Sequence, residues 1–414
     1  MSHIEGLISH HCPDGVEFIA LQELFNTRNG YTPSRKNPAY WENGTIPWFR
    51  LADIRGGDRI LTEAIENVSP SAVKKSGLFP AGTIIISTLA TIGEHALMEV
   101  PGLCNQQLTA LTLREKYADL FNIKFLFYYT FLLADWCKKN TMNSSFASVD
   151  MKQFKRFKFP VPPLEVQDEI VRVLDSFTNL EANLQTELEA RRQQYEYYRD
   201  SLLSLESLSN KLRDEVKIIP LGNICKIARG ASPRPIRSFL SQDSLDSIPW
   251  IKIGDIDPAG KYVTKTNQYI KPSGVEKSRE IFPGDFLLSN SMSFGRPYIS
   301  KIYGCIHDGW LKLSDFEETF LPDYLYHLLR SSQVQLQFQA SVGSGTVSNL
   351  NSLAVSKVMV PVPPLAEQER IVAILDKFDA LVNDLSSGLP AEIAARRKQY
   401  EYYRDQLLSF TPAK

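Results

Sequence analysis

Tyr195-Glu196-Tyr197-Tyr198-Arg199-Asp200 returns unchanged as Tyr400-Glu401-Tyr402-Tyr403-Arg404-Asp405. Six identical residues, 205 positions apart, imply that the chain contains one unit twice. Outward from this motif, Val161-Pro162-Pro163-Leu164 recurs as Val362-Pro363-Pro364-Leu365, and Ile46-Pro47-Trp48 as Ile248-Pro249-Trp250. Leu21, Gly30 and Pro33 match Leu221, Gly230 and Pro233, while Ser87 and Gly93 match Ser289 and Gly295. The offset rises from 201 at Gln167/Gln368 to 205 at the tyrosine motif, which locates extra residues around Ser386-Ser387-Gly388-Leu389-Pro390. A chain made of two copies of one unit suits a target with two related halves.

The motif sits on a long amphipathic segment. Pro162-Pro163 ends a strand and starts a helix, because proline fits the first helical turn, where its missing donor costs nothing. Ile170, Leu174, Phe177, Leu180, Leu184, Leu188, Tyr195, Tyr198 and Leu202 then step by three and four residues, leaving Glu, Gln and Arg on the other faces. A helix of roughly 40 residues is about 60 Å long. The second seam runs through Ile371, Leu375, Phe378, Leu381, Leu385, Ile393, Tyr400, Tyr403 and Leu407, and Gly388 with Pro390 predicts a break in its middle. Two such seams are buried most economically against each other, as an antiparallel coiled coil.

The rest of each copy is β-leaning, with runs such as Ile84-Ile85-Ile86 and Phe286-Leu287-Leu288 punctuated by Phe79-Pro80-Ala81-Gly82 and Phe282-Pro283-Gly284-Asp285. A helical segment follows in each, over 121–139 and 323–338. The expected fold is α+β: globular arms at 1–160 and 213–361, helical spacers at 161–212 and 362–414, and an internal pseudo-two-fold repeat.

A length of 414 residues, with 43% hydrophobic and 22% charged residues, fits a multidomain globular protein. The longest apolar run falls short of the roughly 18 residues of a membrane span. No basic stretch leads into an apolar one near the N-terminus, so a secretory signal is not expected. Cys12, Cys104, Cys137, Cys225 and Cys305 are scattered without a C-x-x-C pair, which favours free thiols in a reducing, cytoplasmic setting. Net charge is −1, but it is unevenly spread. Residues 161–215 and 362–414 together carry −7, whereas 1–160 carry +2 and 216–361 carry +4. Mildly basic arms are compatible with DNA without being diagnostic of it.

Catalytic constellations are hard to assemble. Asn37-Pro38-Ala39-Tyr40 resembles half of a base-methylating site, yet no glycine-rich loop follows a strand, and the second copy lacks the motif. Glu215-Val216-Lys217 has no aspartate at nuclease spacing before it. His10-His11-Cys12 stands alone and reads as a flexible end. Trp48 and Trp250 follow Ile-Pro in strands and read as core residues rather than base-stacking platforms. No catalytic residue and no metal ligand is assigned.

Polar loops that differ between the copies are the candidates for reading DNA. In the first arm these are Arg28, Asn29, Thr32, Ser34, Arg35 and Lys36, then Ser87, Thr88 and Thr91, then Asn143, Ser144 and Ser145. In the second they are Arg229, Ser232, Arg234 and Arg237, then Asn290, Ser291 and Arg296, then Ser344 and Thr346. Arginine suits guanine edges, amides suit adenine, and hydroxyls suit bases or phosphates. On the helices, Arg191, Arg192, Arg199, Arg396, Arg397 and Arg404 flank the tyrosines and are candidates for docking a partner protein.

The Pro-Pro-Leu starts, the Gln167/Gln368 and Leu174-Asp175/Leu375-Asp376 positions, and the Arg-Arg-x-Gln-Tyr-x-Tyr-Tyr-Arg-Asp ends resemble the specificity subunits of type I restriction-modification systems. The resemblance covers the whole chain, closely in the helices and loosely in the arms. It implies that each arm is a target recognition domain reading one half of a bipartite, gapped site in double-stranded DNA. It implies that the helices set the gap and dock two methyltransferase subunits, joined by restriction subunits. S-adenosylmethionine would then sit on the methyltransferase partners, ATP and Mg on the restriction subunits, and no cofactor on this chain. The alternative is a protein–protein scaffold without direct DNA contact.

Overall fold

The computed structural model describes all residues except 1, 56–58, 143–146, 213–214, 242–245, 257–259, 292–293, 342–348, 385 and 414. The chain forms two compact units, Met1–Glu181 with Arg396–Lys414, and Ala182–Ala395.

The first unit is built on a five-stranded sheet. Its strands are β1 (Phe25–Asn29), β3 (Ile60–Leu61), β5 (Thr83–Ser87), β6 (His95–Met98) and β8 (Leu108–Leu113), in the order β1-β8-β5-β6-β3. All pairings are antiparallel except that of β3 with β6. A smaller sheet joins β2 (Ile46–Phe49) to β4 (Asn67–Val68) and, in parallel, to β7 (Leu103–Cys104). Both faces of β5 are covered, since Ile84 and Ile86 join one core and Ile85 another, which is why the run is continuously apolar.

Helix α1 (Ile123–Lys139) covers one face of this sheet. Asn122 caps it by accepting from the Lys124 amide at 2.9 Å. Phe125, Leu126 and Leu133 are fully buried in the same core as Val166, Ile170 and Leu174 from the start of α2 (Leu164–Leu203). The long helix is thereby fixed to its arm by apolar contacts worth about 2 kcal/mol per fully buried side chain.

The second unit repeats this plan. Its main sheet holds β9 (Lys226–Arg229), β11 (Tyr262–Val263), β14 (Phe286–Ser289), β15 (Pro297–Ser300) and β17 (Trp310–Ser314), in the order β9-β17-β14-β15-β11. Only β11 and β15 pair in parallel. A second sheet contains β10 (Ile248–Ile251), β12 (Tyr269–Ile270), β13 (Arg279–Ile281) and β16 (Gly304–Ile306), again with a parallel pair, β10 with β16. Helix α3 (Pro322–Arg330) packs where α1 packs in the first arm, and α4 (Leu365–Asn383) and α5 (Leu389–Leu407) form the second long segment.

One hydrogen-bond device is duplicated at each arm's helix start. Gln167, fully buried, accepts from the Asn122 amide at 2.9 Å and donates to the Leu120 and Pro162 carbonyls at 2.8 and 2.7 Å. Gln368, also fully buried, accepts from the Leu321 amide at 3.0 Å and donates to Thr319 and Pro363 at 2.9 and 3.0 Å. A glutamine suits the site because its carboxamide supplies two donors and an acceptor on one plane.

Within each unit the helical segments meet head to tail. In the first, Phe177 lies 5.5 Å from Tyr403, and Glu181 accepts from Arg397. In the second, Tyr198 stacks on Phe378 at 5.4 Å, and Leu184 and Leu188 share a core with Leu389 and Ile393. The expected break lies between α4 and α5. The Gly388 amide donates there to the Asp384 carbonyl, and a Cβ on Gly388 would stand 2.5 Å from the Ala380 carbonyl oxygen. Glycine is therefore required. Two details differ from the sequence expectation. Leu180, Tyr198 and Leu381 are over a third exposed, because two facing helices cover only one stripe of each other. The terminal stretch expected to be loose forms a helix, Ser2–His11.

Candidate nucleic-acid interface

Part of the candidate set meets at one end of each main sheet. In the first arm, the C-terminal end of β1 meets the turn Asn105-Gln106-Gln107, which links β7 to β8. The Gly30 amide donates to the Leu108 carbonyl at 3.0 Å and the Tyr31 amide to the Cys104 carbonyl at 2.7 Å. From the end of β5, the Thr88 amide reaches the Gln107 carbonyl at 3.1 Å. Gly30 cannot be replaced without movement, as a Cβ there would lie 2.1 Å from the Cys104 carbonyl oxygen.

The second arm repeats the frame around His307-Asp308-Gly309. The Gly230 amide donates to the Trp310 carbonyl at 2.8 Å, Ala231 to Ile306 at 3.2 Å, and Asn290 to Gly309 at 3.0 Å. A Cβ on Gly230 would lie 2.0 Å from the His307 carbonyl oxygen. The side chains on this common frame differ. The first arm presents neutral groups: Asn29 accepts from the Thr109 hydroxyl at 3.0 Å, and Thr32 donates to the Gln106 carboxamide oxygen. In the second, Asp308 is a hub. Its carboxylate accepts from Ser232 at 2.8 Å and lies 3.7 Å from the Arg234 guanidinium. Its carbonyl accepts from Arg229 Nε at 3.2 Å and from Asn290 Nδ2 at 2.8 Å. The Ser232 hydroxyl, followed by a backbone amide and the nearby His307 and Arg229, holds the Asp308 carboxyl below its ordinary range.

Several candidate residues occupy different places from those expected of a reading surface. Arg28 donates to the Ser76 and Gly77 carbonyls, and its guanidinium lies 4.0 Å from the Phe79 ring centre. Arg35 pairs with Glu66 and stacks over Trp41 at 3.5 Å. Ser87 is fully buried, donating to the Thr91 carbonyl and accepting from the Glu94 amide at 2.9 Å. Thr88 is buried with its hydroxyl 2.8 Å from that of Thr109. Ser87 and Thr88 therefore shape the turn from inside, and Thr91 contributes a backbone carbonyl to it. Asn290 is likewise buried, serving the Asp308 hub.

The remaining candidates stay accessible. Ser34, Lys36 and Arg237 are exposed, Ser291 is half-buried, and Arg296 lies 5.7 Å from the Tyr298 ring centre. Asn143, Ser144, Ser145, Ser344 and Thr346 lie outside the described residues. Gln106, Gln107, His307 and Asp308 were missed by sequence reasoning. No local pattern marks them, since the contacts that make Gln106 and Asp308 equivalent, with Thr32 and Ser232, reach across 74 and 76 residues. Asn37 accepts from the Ala39 amide at 3.3 Å and so caps a short turn. Trp48 and Trp250 are buried, as expected of core residues.

The helix arginines divide into two groups. Arg199 is 7% exposed, pairs with Asp200 at 3.0 Å, and lies 5.7 Å from the Tyr195 ring centre. Asp200 in turn accepts from the Ser332 amide and hydroxyl at 3.0 and 2.6 Å. Arg404 pairs with Asp405 and lies 4.7 Å from the Phe131 ring centre. These two arginines serve internal packing, a role at odds with docking. Arg191 bonds Gln194 and Glu187 along its own helix, Arg396 bonds Gln399, and Arg397 bonds Glu181. Arg192 is exposed, as are Tyr197 and Tyr402, which point away from the seam at equivalent positions.

All five cysteines are free thiols. Among the described residues, no cluster of three or more His, Cys, Asp or Glu could hold a metal, and no helix is long and apolar enough to cross a membrane.

The sequence matches the family described as type I restriction modification DNA specificity domain twice, over residues 13–190 and 213–395. The EcoprrI type I restriction enzyme specificity subunit of Escherichia coli is 39% identical over 406 residues, covering 93% of this chain and 92% of the relative. The EcoR124I/EcoR124II specificity subunit of Escherichia coli is 35% identical over 289 residues, covering 66% and 69%. Among solved structures, a chain from a type I R-M system described for its complex assembly and conformational transition superposes with a TM-score of 0.64 at 18% identity. It covers 96% of this chain and 98% of that one. The HsdS subunit from Thermoanaerobacter tengcongensis gives a TM-score of 0.50 at 18% identity, covering 96% of each chain. At such identities the likeness concerns the fold.

Proposed function

The chain belongs to the type I restriction-modification DNA specificity family, and we propose on that premise that each arm reads one half of a bipartite, gapped DNA site. The supporting observation is the common backbone frame at the loop end of each main sheet, which carries different polar side chains in the two arms. A shared frame sets the pose on the duplex, and the differing side chains let the half-sites differ. The helix α2, continuous from Leu164 to Leu203, is the spacer that sets the gap. Two methyltransferase subunits dock on the two copies of the tyrosine motif, and restriction subunits join them. Adenine flipping, methyl transfer from S-adenosylmethionine, and ATP- and Mg-dependent steps belong to those partners. This chain contributes recognition and no reacting group.

Exchange of residues 216–361 for the equivalent arm of a relative tests this reading. Methylated motifs, read by sequencing cellular DNA, should change in one half of the site and keep the other half and the gap. Change in both halves, or in neither, would refute it. A scaffold without DNA contact would leave the motif wholly unaltered.

A further inference from the structure

We propose that Gln106 in the first arm and Asp308 in the second are specificity-determining residues, each setting the base preference of its own half-site. This assignment rests on the reading of the loop ends as the DNA-facing surface. Three observations support it. First, the two residues are structurally equivalent. Each is the middle residue of a three-residue turn, and each accepts a hydrogen bond from a hydroxyl two residues after the close-packed glycine, Thr32 after Gly30 and Ser232 after Gly230. Second, each side chain is accessible: Gln106 is exposed and the Asp308 side chain is 45% exposed. The neighbouring hydroxyls and amides are tied into the frame.

Third, the two tips carry different recognition chemistry. Thr32 orients the Gln106 carboxamide by occupying one lone pair of its oxygen, leaving the other lone pair to accept and the nitrogen to donate outward. An amide held in this way matches adenine, which offers an acceptor and a donor side by side in the major groove. Asp308 instead gathers cations. Arg229 is held through Nε and Arg234 lies against the carboxylate, so at least one guanidinium fork is held at the tip. A restrained fork matches the paired acceptors of guanine. The first arm should therefore require an adenine where Gln106 reaches, and the second a guanine where the Asp308 cluster reaches.

The test uses the full chain assembled with its methyltransferase partner and a randomised-site DNA library, reading which sequences become methylated. Gln106→Ala should relax discrimination at one adenine of the first half-site, by roughly ten- to a hundredfold for a bidentate contact. Gln106→Glu, close in shape, should move that preference toward cytosine, whose amino group a carboxylate accepts. Asp308→Asn should relax one guanine position of the second half-site, and Asp308→Glu should partly restore it. In every case the opposite half-site and the gap should stay as in the parent chain. If the arm exchange shifts one half-site but these variants leave the motif unaltered, this assignment is wrong and the modular reading stands. A uniform loss across all sequences, or relaxation in the opposite half, would also overturn it. Failure of the exchange itself would remove the modular reading on which it rests.

Discussion

The Tyr195 hydroxyl lies 3.0 Å from Nδ1 of His327. That contact ties the tyrosine motif of α2 to helix α3 of the second arm. The other ring nitrogen, Nε2, is 2.8 Å from the Asp376 carboxylate on α4. A carboxylate only accepts, so Nε2 carries the proton and Nδ1 accepts from the tyrosine. Burial pushes the His327 pKa down, in keeping with a neutral ring in this arrangement. Three separate stretches of chain thus meet at one fully buried imidazole.

Tyr195→Phe removes the donor to a buried ring nitrogen and should destabilise the second unit by about 1–3 kcal/mol. Tyr197→Phe, at a residue 69% exposed, should change stability by less than about 0.5 kcal/mol. Denaturant titration of both variants checks the contrast, and equal effects would contradict the assignment of the motif's inner and outer faces.

Gln167→Leu and Gln368→Leu each strand one backbone amide and two carbonyls that the glutamine now serves. Each variant should lose about 2–4 kcal/mol, since every orphaned buried group costs about 1–3 kcal/mol before relaxation. The two glutamines share no partner, so the double variant should lose roughly the sum. Thermal unfolding of the three proteins measures this.

Stability should fall on mild acidification. Burial, followed by the nearby Arg59 charge, depresses His95 to about 3, and burial depresses His327 as well. Both folded-state rings hold the neutral form to lower pH than the unfolded chain, which takes up protons around the ordinary value of 6.5. The stabilisation is thus fully present above pH 6.5 and is lost as pH falls below it, toward about 3 for His95. The limiting slope is about 1.4 kcal/mol per pH unit for each ring. Unfolding midpoints between pH 7.5 and 5 should drop, and His95→Phe should flatten the first unit's share of that drop.

Insertion of four residues near Leu184 extends α2 by about 6 Å. With duplex steps of roughly 3.4 Å per base pair, the methylated motif should gain one or two base pairs in its gap while both half-sites stay the same. An unchanged gap would exclude α2 as the spacer.

Legibility in the sequence varied with the range of the interactions involved. The long helix was legible because its apolar residues recur every three or four positions, and Gly388 marked the break because the chain turns sharply beside its own preceding carbonyls. Trp48 and Trp250 were legible as core residues from their strand context. The interface was legible only in part. Polar composition pointed to the loops after β1, β5, β9 and β14, but did not show that Thr88 and Asn290 there are buried, and it passed over the β7–β8 and β16–β17 turns, where Gln106 and Asp308 face outward. Nor could composition show that Arg28 is engaged with Phe79, or Arg199 and Arg404 with aromatic rings beside them.

The sequence by itself determined that one unit is present twice, that its helical parts are close copies, and that its arms diverged. Periodicity and identity are properties of neighbouring residues along the chain, so they survive without coordinates. Only the tertiary structure decided that Thr32 meets Gln106 and Ser232 meets Asp308, across 74 and 76 residues. It also decided that each compact unit takes one arm together with parts of both helical segments. Such contacts depend on the path of the whole chain, because a hydrogen bond forms wherever folding brings a donor within about 3 Å of an acceptor.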